Sequence, residues 1–164
     1  MGGVALMFAL LVAFNVVTGL GKARIDLTDE KLHTLTEGTK AILAKIDGEV
    51  ELRFYCTRDD DTPVGLKAYA SRVEDLLDEY HQHAGDKLMI RKLNPLALSD
   101  AEDSARLDGL QGQRLQSGDQ VYFGIAVSFL DSTETIAALT MDRENLLEYD
   151  ISRAISNVII EKKP

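Results

Sequence analysis

The chain has 164 residues, 45% of them apolar and 27% charged, with a formal net charge of −9. That length suits one ordinary domain, and the mix is neither disordered nor collagenous. So acidic a surface repels phosphate backbones and anionic headgroups, which argues against nucleic acid as a partner and against peripheral electrostatic membrane binding. The single cysteine rules out an intramolecular disulfide and any zinc site built on thiolates.

Val4 to Leu20 carries no charged residue. As a helix it spans about 26 Å, slightly under a ~30 Å hydrocarbon core, and snorkelling of Lys22 and Arg24 closes the gap. A transmembrane helix is therefore expected over residues 1–21. A cleaved signal peptide fits less well, because no basic segment precedes the run and Gly21-Lys22-Ala23 is a poor small-x-small cleavage site. A buried helix, apolar all round, needs a larger protein than this to cover it. Lys22 and Arg24, taken alone, place the following domain in the cytoplasm.

Residues 22–47 read as a connector and a short helix. Thr34-Leu35-Thr36-Glu37 fits a capping box and Thr36 is an alternative N-cap; Ile42, Leu43 and Ile46 line one face, and Asp47-Gly48 ends the turn. The domain proper is expected over residues 48–164. Glu49 to Thr57 alternates as a half-buried strand, with Val50, Leu52, Phe54 and Cys56 inward and Glu51, Arg53, Tyr55 and Thr57 outward. After the loop Arg58 to Pro63, Tyr69, Val73, Leu76, Leu77 and Tyr80 stripe a helix from Leu66 to Ala84 that Gly85 closes. Leu88 to Leu93 is a second strand, ended by Asn94-Pro95. Ser99, with Glu102 three residues on, caps a short acidic helix running to about Gly109.

A loop from Leu110 to Asp119 comes next. Gln120 to Leu130 is apolar on both faces and reads as a central strand covered on two sides. Asp131 to Thr133 forms a turn, and Glu134 to Leu139 returns as its hairpin partner. Asp142 opens the last helix, whose buried stripe is Leu147, Ile151, Ala154, Ile155 and Val158. The order from Glu49 is β-α-β-α-β-β-α, the minimal thioredoxin-like arrangement: an α/β sandwich around a four-stranded mixed sheet.

That order raises the question of thiol chemistry. A redox pair needs Cys-x-x-Cys, yet here the text is Cys56-Thr57-Arg58-Asp59, with no resolving thiol and no proline just before the third strand. Cys56 also keeps the inward phase of its strand, so a packed core cysteine is the expected role. Glu79 and His83 have helical ligand spacing, but a single pair is weak, and His81 and His83 suit a solvated helix end. Asp59, Asp60 and Asp61 lack the alternating oxygen ligands of a calcium loop. Asp100, Glu102 and Asp103 are explained by the first turn of their helix. Gly124 inside a central strand signals close approach by another backbone or helix. No catalytic, cofactor-binding or metal-binding residue is assigned.

Several of these segments, read in order, match a known pattern. Arg24-Ile25-Asp26-Leu27-Thr28, Lys31, and Leu35-Thr36-Glu37-Gly38-Thr39 resemble the R-x-D-L-T-x-x-K-x-x-x-L-S/T-x-G-T opening of the GldG-like family of ABC-transport auxiliary components, first associated with gliding motility. The likeness continues through Tyr69 to Tyr80, Asn94-Pro95, Leu110-Gln111-Gly112, Tyr122-Phe123-Gly124 and Leu147-Glu148-Tyr149-Asp150. It implies an anchor in the bacterial cytoplasmic (inner) membrane, an extracytoplasmic α/β region, and ABC permease and ATPase subunits as partners. It implies no catalytic residues. Family members continue into further α/β sequence and a C-terminal membrane helix, so this chain resembles their N-terminal part. The expectation is a non-enzymatic accessory subunit; the alternatives are an extracytoplasmic ligand-binding or sensing module and a thiol oxidoreductase using Cys56.

Overall fold

The computed structural model describes residues 34–60, 62–115, 118 and 120–160. The expected membrane helix at residues 1–21, and the connector up to residue 33, lie outside the described residues. Among the described residues no helix is long and apolar enough to cross a membrane.

The first described helix, α1 (Glu37–Ala44), starts where Thr36 accepts a bond from the Thr39 N–H, as an N-cap does. Strand β1 (Val50–Cys56) leads through the long helix α2 (Val64–Ala84) to β2 (Leu88–Leu93). A helical crossover of this kind permits the parallel pairing seen from Val50↔Leu88 to Tyr55↔Leu93. Helix α3 (Asp100–Leu107) follows, with Ser99 Oγ accepting from the Glu102 N–H. Two short strands, β3 (Gln113–Arg114) and β4 (Gln120–Val121), pair with each other, so the expected loop contains a small hairpin.

The apolar run then becomes β5 (Phe123–Phe129), antiparallel to β1, and β6 (Ser132–Ile136) returns beside it. A 3-10 turn (Met141–Leu146) leads into the last helix, α4 (Leu147–Ile160). The main sheet is four-stranded and mixed, in the order β2-β1-β5-β6.

One face of this sheet carries the main core. Val50, Leu52, Phe54 and Cys56 of β1, with Phe123, Ile125, Val127 and Phe129 of β5, pack against Leu43 of α1, the Tyr69–Val73–Leu77–Tyr80 stripe of α2 and Ile151 and Ile155 of α4. The rings of Phe54 and Tyr69 both meet Phe123 edge-on, at 5.7 and 5.2 Å between centroids. All five residues expected to form the buried stripe of the last helix are buried. The other face is covered over part of its area by a smaller cluster of Tyr55, Ala126, Tyr122 and, from α3 and the turn after it, Ala105 and Leu110.

Several expectations are corrected. Tyr55 and Thr57, assigned to the solvent side of β1, are buried, because α3 and the residues before β5 lie over that end of the sheet. The run from Gln120 to Leu130 is broken at Tyr122, whose N–H donates to Thr57 Oγ1 (2.9 Å) while its carbonyl accepts from the Thr57 N–H (2.9 Å). The hairpin turn is Leu130-Asp131, with Leu130 at φ +53°, so β6 begins at Ser132 and ends at Ile136 rather than running from Glu134 to Leu139. The last helix begins at Leu147 instead of Asp142 because the intervening residues wind as a 3-10 turn. Gly124 behaves as expected: a Cβ there would lie 2.6 Å from the Ile136 carbonyl oxygen and 3.0 Å from Leu110 Cδ2.

On the outer face, Arg53 donates to Asp108 from Nε (2.7 Å) and Nη2 (2.9 Å), to Glu51 (2.7 Å) and to Ser128 (2.6 Å), and the Tyr55 hydroxyl donates to the same carboxylate (2.6 Å). The Asp108 bond holds the Arg53 guanidinium well above its usual range, and burial, then Asp108, pushes the Tyr55 phenol up. Asp108 thereby pins the end of α3 onto β1. Two outcomes are expected in urea titrations. Gly124→Ala should lower the midpoint by about 1–3 kcal/mol of stability with an unchanged slope, since a backbone oxygen has to give way. Asp108→Ala should cost about 3 kcal/mol, because it leaves a largely covered guanidinium without its main partner.

Candidate functional site

In an α/β fold with parallel strands, ligands collect at the strands' C-terminal ends. Here that end is formed by the residues following β1 and β2. Cys56 is the last residue of β1 and is 2% exposed. Its Sγ lies 3.8 Å from the Thr57 carbonyl, and burial pushes its thiol up, only partly offset by Arg58. A protonated, buried thiol is a poor nucleophile.

Around it lies a small cavity of about 80 Å³ lined by Phe54, Cys56, Arg58, Glu74, Lys92 and Asn94 among others. Its polar groups are occupied. Arg58 forms an ion pair with Glu74 of α2, and Lys92 reaches Asp78 at 3.1 Å. The Asn94 side chain accepts from the Arg58 N–H (2.8 Å) and donates to the Arg58 carbonyl (3.1 Å), locking the two loops together. Thr57 Oγ1 donates to the Pro95 carbonyl at 3.1 Å.

The other singled-out residues are placed apart from this end or used up in it. Asp59 accepts from Thr62 Oγ1 (2.6 Å) inside its own loop, Asp60 lies in the same loop, and Asp61 is outside the described residues. His83 Nδ1–H donates to the Glu79 carbonyl of its own helix, and that of His81 to the Leu88 carbonyl, both at 3.0 Å. Among the described residues no group of three or more His, Cys, Asp or Glu is placed to hold a metal ion.

Asp100 and Asp103 stay in the first turn of α3, but Glu102 is only 5% exposed and does more than the turn requires. Its carboxylate accepts from the Leu98 N–H (2.8 Å) and from Arg106 (2.6 Å), and the Arg106 Nε donates to the Tyr122 hydroxyl (3.1 Å). The i, i+4 spacing of Glu102 and Arg106 was the visible signal for that pair.

A second polar constellation joins three helices and was missed from sequence. Glu148 Oε1 accepts from the Thr36 N–H and from Thr39 Oγ1, each at 2.7 Å. Thr39 Oγ1 also meets Ser152 Oγ (2.8 Å), and Ser152 Oγ meets the Tyr80 hydroxyl (2.6 Å), which donates to the Glu148 carbonyl (2.8 Å). Burial pushes the Tyr80 phenol up. Burial also works against the charged Glu148, yet the Thr39 and Thr36 bonds outweigh it and lower its carboxyl. This network fastens α1 to α2 and α4.

Residues 29–128 match a family model described as a domain of unknown function, DUF7088. The chain belongs to this family. No curated protein and no solved structure matches the chain.

The DUF7088 span contains Cys56, Arg58, Glu74, Lys92 and Asn94, hence the whole paired end of β1 and β2. It stops within β5, so β6 and α4, which complete the sheet and its core, follow the matched residues. The Glu148 network therefore ties the start of the DUF7088 region to a helix beyond it.

The lowered carboxyl of Glu148 has a definite sign. Stability from it is present above the ordinary glutamate value of ~4.3 and is lost as pH falls through the depressed folded value. Glu148→Gln should cost about 1 kcal/mol at neutral pH, and Glu148→Ala more, since it leaves the Thr39 hydroxyl and Thr36 N–H without their acceptor. Denaturant unfolding across pH checks this: the wild-type loss on acidification should be smaller in Glu148→Gln.

Proposed function

We propose that this chain is a non-enzymatic, membrane-anchored accessory subunit of an ABC transport system, related to the GldG-like family, that works through protein contact. Its domain is thioredoxin-like, and its site of work is the extracytoplasmic side of a bacterial cytoplasmic membrane, with residues 1–21 as the anchor.

One observation carries the reading. The segments that resemble the GldG-like pattern serve as joints of the framework. Thr36 and Thr39 from its opening bond to Glu148 of the closing Leu147-Glu148-Tyr149-Asp150, across 112 and 109 residues of chain. Pro95 accepts from Thr57, the Tyr122 N–H donates to Thr57 Oγ1 while its carbonyl accepts from the Thr57 N–H, Leu110 packs in the second cluster, and Gly124 makes room for the Ile136 carbonyl. A pattern made of joints suits a family that shares a scaffold.

The strand order β2-β1-β5-β6, with β5 antiparallel to both neighbours, supports the thioredoxin-like assignment. Thiol exchange is disfavoured by the burial of Cys56 and by the Arg58–Asn94 interlock over it. The firm attachment of α1, through the Glu148 bonds and through Leu35, Leu43 and Ile46 in the core, fits a domain tethered at that side.

Purification of the tagged full-length chain from its native membranes in mild detergent tests the reading. An ABC permease and its ATPase should accompany the chain through size exclusion. Their absence under conditions that keep such transporters assembled overturns it.

A further inference from the structure

The described polar groups at the C-terminal end of β1 and β2 are largely paired; along β6 the Thr133 and Thr135 hydroxyls are bonded too, to Ser128 Oγ (3.1 Å) and the Asp108 carbonyl (2.6 Å), and what that strand leaves open is its outer backbone edge. β6 ends the sheet on its side. The two-residue turn makes Phe129↔Ser132 the first pair, so an antiparallel ladder turns the backbone groups of Ser132, Glu134 and Ile136 toward β5 and those of Thr133 and Thr135 away from it. Past the end of β6 the chain leaves the ladder, and the Ala137 carbonyl accepts from the Gln111 N–H (3.1 Å) over Gly124 of β5. Thr133 and Thr135 present their backbone groups along the remaining edge.

Helix α4 runs beside that edge, and an open cleft of about 220 Å³ lies between them, lined by Glu134, Thr135, Arg153, Asn157 and the Arg143–Asp150 pair among others. Arg143 is satisfied by both Asp150 oxygens, at 3.1 and 2.9 Å. Glu134 and Arg153 line the same cleft yet form no ion pair with each other or with another described residue. A strand edge facing a helix across a groove is the geometry that captures extended peptides by strand addition, with backbone bonds for affinity and side-chain contacts for selectivity.

We propose that an extended peptide segment of a partner protein adds to β6 in the groove against α4, bonding to the backbone of Thr133 and Thr135 and setting an acidic side chain on Arg153. A second copy of β6 suits the groove less well. The register that uses both threonines places Glu134 directly opposite its own copy, and like charges at that spacing repel. The proposal gives the contact function a surface, and its biological meaning rests on that reading.

The test titrates the full-length chain, in the detergent used for purification, with capped heptapeptides of alternating valine and threonine. One peptide carries a central glutamate and its control a lysine there. The glutamate peptide should shift the backbone amide resonances of β6 and α4 and bind about tenfold more tightly than the lysine peptide. Arg153→Ala, an exposed change, should erase that preference. Thr133→Pro, which removes an edge donor and no ladder bond, should remove binding by both peptides while the remaining spectrum stays folded.

Equal binding of the two peptides, shifts outside β6 and α4, or no binding by either overturns the groove. So does a dimer in sedimentation that Thr133→Pro dissolves. The two ideas fail separately: a chain that retains ABC subunits but ignores the peptides loses the groove, and one that binds the glutamate peptide but no ABC subunit loses the accessory role.

Discussion

β5 has to be buried on both faces, and most of the architecture follows from that constraint. Its inward residues, Phe123, Ile125, Val127 and Phe129, meet three helices, while its outward ones, Gly124 and Ala126, are too small to fill the second layer themselves. Small side chains on that face let the Ile136 carbonyl and Leu110 approach closely. The turn after α3 can then settle onto the sheet, which brings Asp108 to Arg53 and Tyr55. The outer cluster is modest in apolar area, so a charged anchor does what a larger core would otherwise do. Its value depends on geometry: the guanidinium is held by two parallel bonds to one carboxylate, with the phenol on the same oxygen as one of them.

The inner face is organised differently. There the apolar stripes of α2 and α4 supply the bulk of the contact, and the polar chain Tyr80–Ser152–Thr39–Glu148 decides how α1 sits against them. Hydrophobic contact alone tolerates sliding and rotation. A chain of hydroxyls ending in a carboxylate specifies one arrangement, since a displaced partner would leave a buried polar group unpaired. α1 is a short helix of eight residues, with little intrinsic stability. Its order depends on that specification.

Elements governed by local periodicity were legible in the sequence. The Tyr69-to-Tyr80 stripe, the alternation of β1, the Ser99 cap and the apolar β5 all report their own burial through spacing. Gly124 was legible as a close approach but not in its partner. What escaped notice depends on contacts distant in the chain. Tyr55 looks solvent-facing from its phase, because nothing near it in sequence says that α3 will cover it. Glu102 looks like an ordinary first-turn acid until Tyr122 and the Leu98 N–H arrive. Glu148 sits in a helix's first turn, where an acid needs no further explanation, so its bonds to Thr36 and Thr39 left no local trace. The hairpin of β3 and β4 was hidden for another reason: two-residue strands are too short for a pattern of period two.

The distribution of unsatisfied groups separates two kinds of surface on one domain. At the end of β1 and β2, where residues with chemical potential gather, Arg58, Glu74, Lys92 and Asn94 are tied to one another or to neighbours, and the thiol beneath them is buried and kept protonated. Such mutual satisfaction stabilises a loop junction and leaves little to offer a ligand. Along β6 the threonine hydroxyls are bonded as well, but the outer backbone edge is open. Glu134 and Arg153 share a cleft without meeting, and the strand's backbone is partnered on one side only. Natural edge strands are commonly blunted by charge, proline or a covering element to prevent indiscriminate pairing. β6 is partly guarded by the Gln111–Ala137 bond at one end and by Glu134, whose charge opposes pairing with its own copy. Guarding against self-association while leaving a groove open to another sequence is how an edge achieves selectivity: the repulsive element excludes the wrong strand, and the free cation rewards the right one.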